Sequence, residues 1–97
     1  MALLDLLGRR WVLRVIWELR GDPLGFRELQ AACDGMSPSV LNQRLGELVQ
    51  ALVVDVDASG RYRLSARGRE LISLFTPLNR WADSWAKALR RNPGGRR

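Results

Sequence analysis

Between Ser37 and Leu52, apolar and polar residues follow a helical period. Four leucines recur at i, i+4, i+7 and i+11, which places one stripe on an α-helix: Leu41, Leu45, Leu48 and Leu52. The opposite face is polar, short and nearly uncharged: Ser39, Asn42, Gln43, Gly46 and Gln50. Ser37 is suited to be the N-cap, with Pro38 at the first helical position. Two interpretations fit: an ordinary solvated helix, or a helix that presents hydrogen-bonding groups to DNA base edges.

A broad apolar face predicts a first helix over residues 3–20. Its members recur at spacings of three and four: Leu3, Leu4, Leu7, Trp11, Val12, Val15, Ile16 and Leu19. Gly8 interrupts this pattern at a cost of about 1 kcal/mol relative to alanine, so it favours close packing or a bend. The sequence Gly21-Asp22-Pro23 ends the helix.

The next segment predicts a helix-turn-helix. Residues 24–26 suit an extended turn or a single-bridge strand, and a brief helix follows from about Arg27 to Cys33. Asp34-Gly35 then forms a turn into the capped helix described above. A short helix, a glycine-containing turn and a longer capped helix are typical of a helix-turn-helix.

After Leu52 the apolar period changes from helical to alternating, which predicts a β-hairpin. Its strands are 54–56 and 62–64, joined by a turn at Ala58-Ser59-Gly60. Two strands alone are marginal, so the hairpin should pack on the helices or pair with 24–26. Arg61 and Arg63 fall near its tip on one face, either as solvated charges or as a cationic finger for DNA.

An apolar repeat predicts a long last helix over residues 65–90, with Ser65 as its N-cap. Apolar residues step by 4, 3, 4, 3 and 4: Leu71, Phe75, Leu78, Ala82, Trp85 and Leu89. Pro77 should kink or interrupt it near Thr76. The stripe exceeds what a small core can cover, so Trp81 and Trp85 should lie in a dimer interface or, alternatively, in the intrachain core.

Length and composition predict one small folded domain, residues 1–91, followed by a disordered basic tail, residues 92–97. The chain has 97 residues, of which 46% are hydrophobic and 27% charged. The net charge of +6 comes almost wholly from arginine and favours nucleic acid over membrane as a partner, although genome base composition can contribute to that bias. The sequence shows no membrane span and no signal peptide, so we expect a cytoplasmic protein.

The residue inventory argues against an enzyme and against a metal site or cofactor. Histidine is absent and Cys33 is the single cysteine, so a Ser-His or Cys-His nucleophile and a His/Cys metal site are excluded. One thiol also excludes an internal disulfide.

Five motifs, in this order and with these gaps, resemble the HxlR-type winged helix-turn-helix regulators of bacteria. They are Leu7-Gly8-Arg9-Arg10-Trp11, Phe26-Arg27-Glu28-Leu29, the segment 36–45 with Leu48, the segment 62–71, and Trp81. The resemblance implies a mainly α-helical fold with a small β-hairpin. Its order is helix, short strand, helix, recognition helix, two-stranded wing and long C-terminal helix.

The resemblance also implies a dimeric transcriptional regulator whose third helix enters the major groove of double-stranded DNA. Carried onto this chain, the expected DNA contacts are Ser37, Ser39, Asn42, Gln43 and Arg44 on the helix, with Arg61 and Arg63 on the wing. Arg44 lies at the edge of the apolar stripe and has a second interpretation, in which it binds a phosphate or an intrachain acid. The expected homodimer interface comprises Leu4, Leu7, Trp11, Leu78, Trp81, Trp85 and Leu89.

Three departures from the family pattern modify these expectations. The family's redox-sensing cysteine before the first helix has no counterpart here, and Cys33 is interpreted as a small buried residue rather than a sensor. Ala51 replaces a glycine, which predicts the loss of a left-handed helix cap. The wing is short, which predicts limited reach into a minor groove.

The leading hypothesis is a homodimeric, sequence-specific DNA-binding regulator. A rival hypothesis is a winged-helix module that binds protein through Trp81 and Trp85 or through the wing and does not bind DNA. A third is a sensor holding a small ligand near Trp11 and Trp85, but no convergent polar groups support it. The sequence identifies neither an effector nor an operator.

Overall fold

The computed structural model describes residues 2–34 and 36–91, within which the protein is mainly helical with one small antiparallel sheet. The tail predicted at 92–97 lies outside the described residues. The elements are α1 (Ala2–Leu7), α2 (Val12–Glu18), α3 (Phe26–Ala32), α4 (Pro38–Gln50), β1 (Val54–Val56), β2 (Tyr62–Leu64), α5 (Ala66–Ser73) and α6 (Phe75–Arg91). Across the described part of the chain, no helix has the length and apolar character needed to cross a bilayer. The predicted fold class is confirmed.

The core forms where α2, α3, α4 and the sheet meet. Leu41, Leu45 and Leu48 of α4 are at most 1% exposed, as the leucine stripe predicted, whereas the fourth leucine of the stripe, Leu52, lies beyond the end of α4 and is 63% exposed. They share one buried cluster with Val12, Val15, Ile16, Leu19, Leu29, Cys33, Met36, Val53, Val54 and Leu64. Because this stripe faces inward, the polar side of α4 faces outward.

The predicted single helix over residues 3–20 is wrong, because the chain forms two helices separated by residues 8–11. Trp11 has φ of 77°, a left-handed backbone conformation that cannot continue a right-handed helix. Gly8 has low helix propensity and lies at the start of the break. The break allows α2 to turn Val12, Val15 and Ile16 into the core, while none of the six residues described for α1 is buried.

The end of α4 keeps a left-handed cap, which corrects the expectation drawn from Ala51. Ala51 itself is right-handed, and Leu52 takes the left-handed conformation with φ of 65°. The Val53 amide donates to the Leu48 carbonyl and the Leu52 amide to the Val49 carbonyl, each at 3.0 Å. These two bonds form a Schellman motif, with a leucine at the position that usually holds glycine.

The hairpin forms as predicted and is joined by a third extended segment. Val54 pairs with Leu64 and Val56 with Tyr62 in an antiparallel register. Leu24 makes an isolated bridge to Tyr62, with reciprocal backbone hydrogen bonds of 2.9 and 2.8 Å. This bridge connects the wing to the chain just before α3.

The predicted last helix, residues 65–90, is also divided. The interruption lies at Leu74, two residues before the position predicted from Pro77. In a continuous helix the Pro77 ring would collide with the Ser73 carbonyl, and its missing N–H would leave that carbonyl unpaired. As the third residue of α6, Pro77 lies in a first turn, where no intrahelical N–H bond is required.

Gly68 allows α5 to pack directly against the strand backbone. The Ser65 hydroxyl caps α5 by accepting from the Gly68 amide at 3.0 Å, and it also donates to the Leu52 carbonyl at 2.6 Å. A Cβ on Gly68 would overlap the Val53 carbonyl oxygen and crowd Leu64. By contrast, a Cβ on Gly46, in the exposed face of α4, would meet no atom within 4 Å.

Gly68→Ala should therefore destabilise the protein, whereas Gly46→Ala should not. We expect Gly68→Ala to cost about 1–3 kcal/mol through overpacking. The matched control Gly46→Ala should stabilise by about 0.5–1 kcal/mol, since it only removes backbone freedom from a helix interior. Urea denaturation at one fixed protein concentration measures both. Equal effects of the two substitutions would contradict the close approach at Gly68.

Candidate nucleic-acid interface

The outward face of α4 presents two neighbouring carboxamides to solvent. Asn42 and Gln43 are exposed, as are Ser39 and Gln50 on either side. Within residues 2–34 and 36–91, neither the Asn42 nor the Gln43 amide makes a side-chain hydrogen bond to the chain. An amide carries both donors and an acceptor, so these two groups can pair with an external partner.

The start of α4 is held by the predicted serine cap. The Ser37 hydroxyl accepts from the Val40 amide at 3.2 Å and lies 3.4 Å from the Ser39 hydroxyl. Capping occupies the Ser37 oxygen, but both serines remain exposed. The cap therefore fixes the helix terminus and leaves its polar surface accessible.

Arg44 makes the intrachain contact that was the second interpretation of this residue. Its NH1 lies 2.8 Å from Glu47 Oε1 and its Nε donates to the Arg10 carbonyl at 2.9 Å. Only 16% of the Arg44 side chain is exposed. Glu47 Oε2 accepts from Arg9 on its other side. Arg44 thus joins α4 to the segment between α1 and α2.

Asp57 organises the turn of the wing. Its Oδ1 accepts from the Ser59 amide at 2.9 Å, the Ser59 hydroxyl at 2.7 Å and the Arg61 amide at 3.0 Å. The bond from the Ser59 hydroxyl and that from the Arg61 amide lower the pKa of Asp57, because they favour the ionised carboxylate. Gly60 provides the left-handed residue of the turn, with φ of 84°.

The two wing arginines differ in their surroundings. Arg63 donates to Asp55 at 2.6 Å across the strand pair, and this partner raises the pKa of Arg63. Arg61 is exposed at the end of the turn that Asp57 holds. The wing therefore presents Arg61 outward, while the charge of Arg63 is partly balanced by Asp55.

A large apolar surface remains uncovered on the terminal helices. Trp81 and Trp85 stack with ring centroids 5.8 Å apart and are 62% and 52% exposed, which excludes the alternative that they lie in the intrachain core. Leu4, Leu78 and Leu89 are also exposed, whereas Leu7 and Trp11 pack partly against the core. None of the seventeen residues described for α6 is buried.

A groove between α2 and α6 continues this apolar surface. It is lined by Leu13, Arg14, Trp17, Phe75, Leu78 and Asn79. The Arg14 guanidinium is held by Glu18 at 2.8 Å and by the Ala32 carbonyl at 2.7 Å. Trp17 lines this groove, whereas Trp11 and Trp85, the residues considered for the alternative of a ligand sensor, do not.

In the described part of the chain, Cys33 and the acidic residues form neither a reactive thiol site nor a metal site. Cys33 is fully buried, and burial raises the pKa of its thiol, which disfavours the reactive thiolate. Among the described residues, no group of three or more cysteine, aspartate or glutamate side chains is placed to hold a metal ion.

Sequence reasoning missed Glu47, Arg9 and Asp57. The spacing of Arg44 and Glu47, three residues apart on a helix, was available as a signal for an ion pair. Asp57 before Ser59 and Gly60 matches the turns in which an aspartate accepts from backbone two residues on. The contact from Arg9 had no local signal, because it joins residues 38 positions apart.

The geometry defines a winged helix-turn-helix: a capped second helix with an exposed polar face, followed by a hairpin wing on the same core. The model of the HxlR-like helix-turn-helix family matches residues 6–90, and the chain belongs to this family. It is thus a DNA-binding transcriptional regulator and not an enzyme.

Individual relatives agree with this assignment. The chain is 31% identical over 87 residues to the uncharacterized HTH-type transcriptional regulator YvaP of Bacillus subtilis, covering 84% of this chain and 81% of YvaP. It is 30% identical to the HTH-type transcriptional regulator YodB of the same organism, covering 86% and 80%. The crystal structure of quinone-bound YodB superposes with a TM-score of 0.80 over 86% of this chain and 92% of that chain.

Removing the Asp57 carboxylate should loosen the wing. In Asp57→Ala we expect the Ser59 and Arg61 amides to exchange with solvent roughly tenfold faster, because their acceptor is lost. Asp57→Asn keeps an oxygen acceptor and is the matched control. Since the folded-state pKa of Asp57 is lowered, its stabilisation is present at neutral pH and is lost as the pH falls through that pKa. Exchange that is unchanged in Asp57→Ala would contradict this role.

Proposed function

We propose that the protein is a homodimeric regulator of bacterial transcription that binds specific DNA sequences in the cytoplasm. The observation that carries this proposal is the pair of exposed amides, Asn42 and Gln43, in the first half of a capped α4 whose opposite face is buried. The N-terminal part of a recognition helix is the part that reaches base edges.

Base recognition would come from Asn42 and Gln43, with Ser37 and Ser39 at the helix start. A carboxamide can pair with adenine through two hydrogen bonds, and each such pair discriminates by about 1–3 kcal/mol. Arg44 is assigned a different role, because its guanidinium is already held by Glu47 and the Arg10 carbonyl.

Affinity would come largely from arginines that contact phosphates. Arg61 is exposed on the wing, and Arg63 adds positive charge beside it although Asp55 is near. The net charge of +6 supports this interaction. Each phosphate neutralised releases counterions, so binding should weaken steeply as salt rises.

Dimerisation would cover the apolar surface of α1 and α6. Leu4, Leu78, Trp81, Trp85 and Leu89 are each 48–63% exposed, a larger set than a monomer normally leaves in water. Two copies related by two-fold symmetry would place their recognition helices in major grooves about 34 Å apart, or a multiple of this distance.

Selection of bound duplexes from a random library tests the function directly. We expect enrichment of a palindrome, because a symmetric dimer reads two inverted half-sites. A protein-docking module would enrich no sequence and would form no salt-dependent complex with random DNA in sedimentation. That result would overturn the proposal.

The double substitution Asn42→Ala plus Gln43→Ala should weaken binding to the selected site by about tenfold or more and spare binding to random duplex. Gel-shift titration on both duplexes measures the difference. Gln50→Ala is the matched control, since it removes an exposed amide from the same helix about 12 Å further along its axis. Equal losses of affinity for both duplexes would contradict the assignment of base contacts to Asn42 and Gln43.

Replacing Trp81 and Trp85 by glutamate should dissociate the dimer. Buried interface tryptophans often contribute about 2 kcal/mol or more each, and a charge at these positions would also have to be desolvated. Sedimentation velocity gives the oligomeric state. Leu52→Glu is the control, because Leu52 is 63% exposed but lies at the end of α4. Dimers that persist in the tryptophan variant would contradict this interface.

A further inference from the structure

Three side chains fasten the recognition helix to the segment between α1 and α2. The two carboxylate oxygens of Glu47 accept from different arginines: Oε1 from Arg44 at 2.8 Å and Oε2 from Arg9 at 2.5 Å. Arg44 also donates its Nε to the Arg10 carbonyl at 2.9 Å. Two residues of α4 therefore hold two consecutive residues of the segment, Arg9 and Arg10.

Within this cluster the Arg44–Glu47 pair is more shielded from water than the wing ion pair, whereas the Arg9 side chain is 51% exposed. The side chains of Arg44 and Glu47 are 16% and 20% exposed, whereas those of Arg63 and Asp55 are 48% and 49% exposed. Burial opposes ionisation of Glu47, but Arg44 and Arg9 outweigh it and lower the pKa of Glu47. The carboxylate is therefore charged at neutral pH. Charge-assisted hydrogen bonds in such shielded surroundings restrict geometry more than exposed pairs do.

Helix α1 has few other contacts that could set its direction. None of its six described residues is buried, and only Leu6 and Leu7 pack partly against the core. Trp11 interrupts the helical backbone between α1 and α2, so α2 does not extend into α1 as one rigid rod. The Glu47 cluster holds the chain directly after α1 against α4.

We infer that Glu47 is a positioning residue, which sets the angle between the dimer-forming α1 and the recognition helix through Arg9, Arg44 and the Arg10 carbonyl. This inference rests on the proposed function, because it assigns α1 to the dimer interface. Glu47 itself contacts no base. It restricts how far apart the two recognition helices of a dimer can lie, and hence which half-site spacing the dimer accepts.

Binding to operators of altered spacing tests this role. The wild-type protein should prefer its selected palindrome over versions lengthened or shortened by one or two base pairs. In Glu47→Ala the ratio of the affinity for the selected palindrome to the affinity for the altered versions should fall by about fivefold or more, a typical size for the loss of a coupled network. Dimerisation and affinity for a single half-site should be unchanged. Arg9→Ala should give a smaller effect in the same direction, because the Arg44 contacts remain.

Glu18→Ala is the matched control, since it removes the carboxylate partner of Arg14 in an ion pair confined to α2. An equal loss of affinity on every spacing in Glu47→Ala would overturn the inference, because it would indicate only a loss of folded protein. The same loss of preference for the selected half-site spacing in Glu18→Ala would overturn the inference as well.

A measurement without DNA separates this inference from the proposed function. Spin labels at Asp5→Cys and Gln50→Cys, in a Cys33→Ala background, report the distance between α1 and α4. We expect a narrow distribution of label-to-label distances when Glu47 is present and a broad distribution in the Glu47→Ala variant. A distance distribution of unchanged width in Glu47→Ala would refute the positioning role even if the protein binds a palindrome. A broadened distance distribution in Glu47→Ala without selected DNA binding would overturn the proposed function and the effect on half-site spacing, while the role of Glu47 in holding α1 relative to α4 would stand.

Discussion

The structure depends on burial of the leucine stripe of α4. Leu41, Leu45 and Leu48 lie in one cluster with residues of α2 and α3. Each fully buried leucine contributes about 1.5–3 kcal/mol, so rotating α4 about its axis would cost several kcal/mol. The polar face consequently has one orientation, toward solvent. A surface of small polar side chains on a helix whose rotation is fixed is what reading of base edges requires.

The two breaks in the terminal helices have a common consequence. Residues 8–11 separate α1 from α2, and Leu74 separates α5 from α6. Helices α2 and α5 contribute buried residues, whereas α1 and α6 contribute none. The chain thereby has a small packed centre and, on α1 and α6, apolar surface that remains exposed. The Glu47 cluster, formed by Glu47, Arg44 and Arg9, lies where the first of these breaks meets α4.

Local signals predicted the elements well where a single residue decides the structure. Ser37 caps α4 and Ser65 caps α5 because a hydroxyl can accept from the first free amides of a helix. The alternation in the hairpin predicted its strands because side chains on a strand alternate between faces. Periodicity failed at Trp11 and Leu74, since an apolar repeat continues unchanged across a break in the backbone. It also failed at Leu52, which belongs to the leucine repeat but is 63% exposed. The family comparison failed at the same place, because Leu52 takes the left-handed conformation that the replacement of a glycine by Ala51 was expected to remove.

The sequence by itself determined the fold class, the family and the polar composition of α4, because each depends on spacing, caps and residue types along the chain. Only the tertiary structure decided which groups of the chain Arg44 contacts, because its helical position permits contact with DNA, phosphate or an intrachain acid. The choice was made by Glu47 on the same helix and by Arg10, which is 34 positions away and meets α4 only after folding. Tertiary packing also distinguishes two parts of the predicted dimer interface. Leu7 and Trp11 are partly covered by the core, whereas Trp81 and Trp85 are exposed, because one small core can enclose only a limited amount of apolar surface.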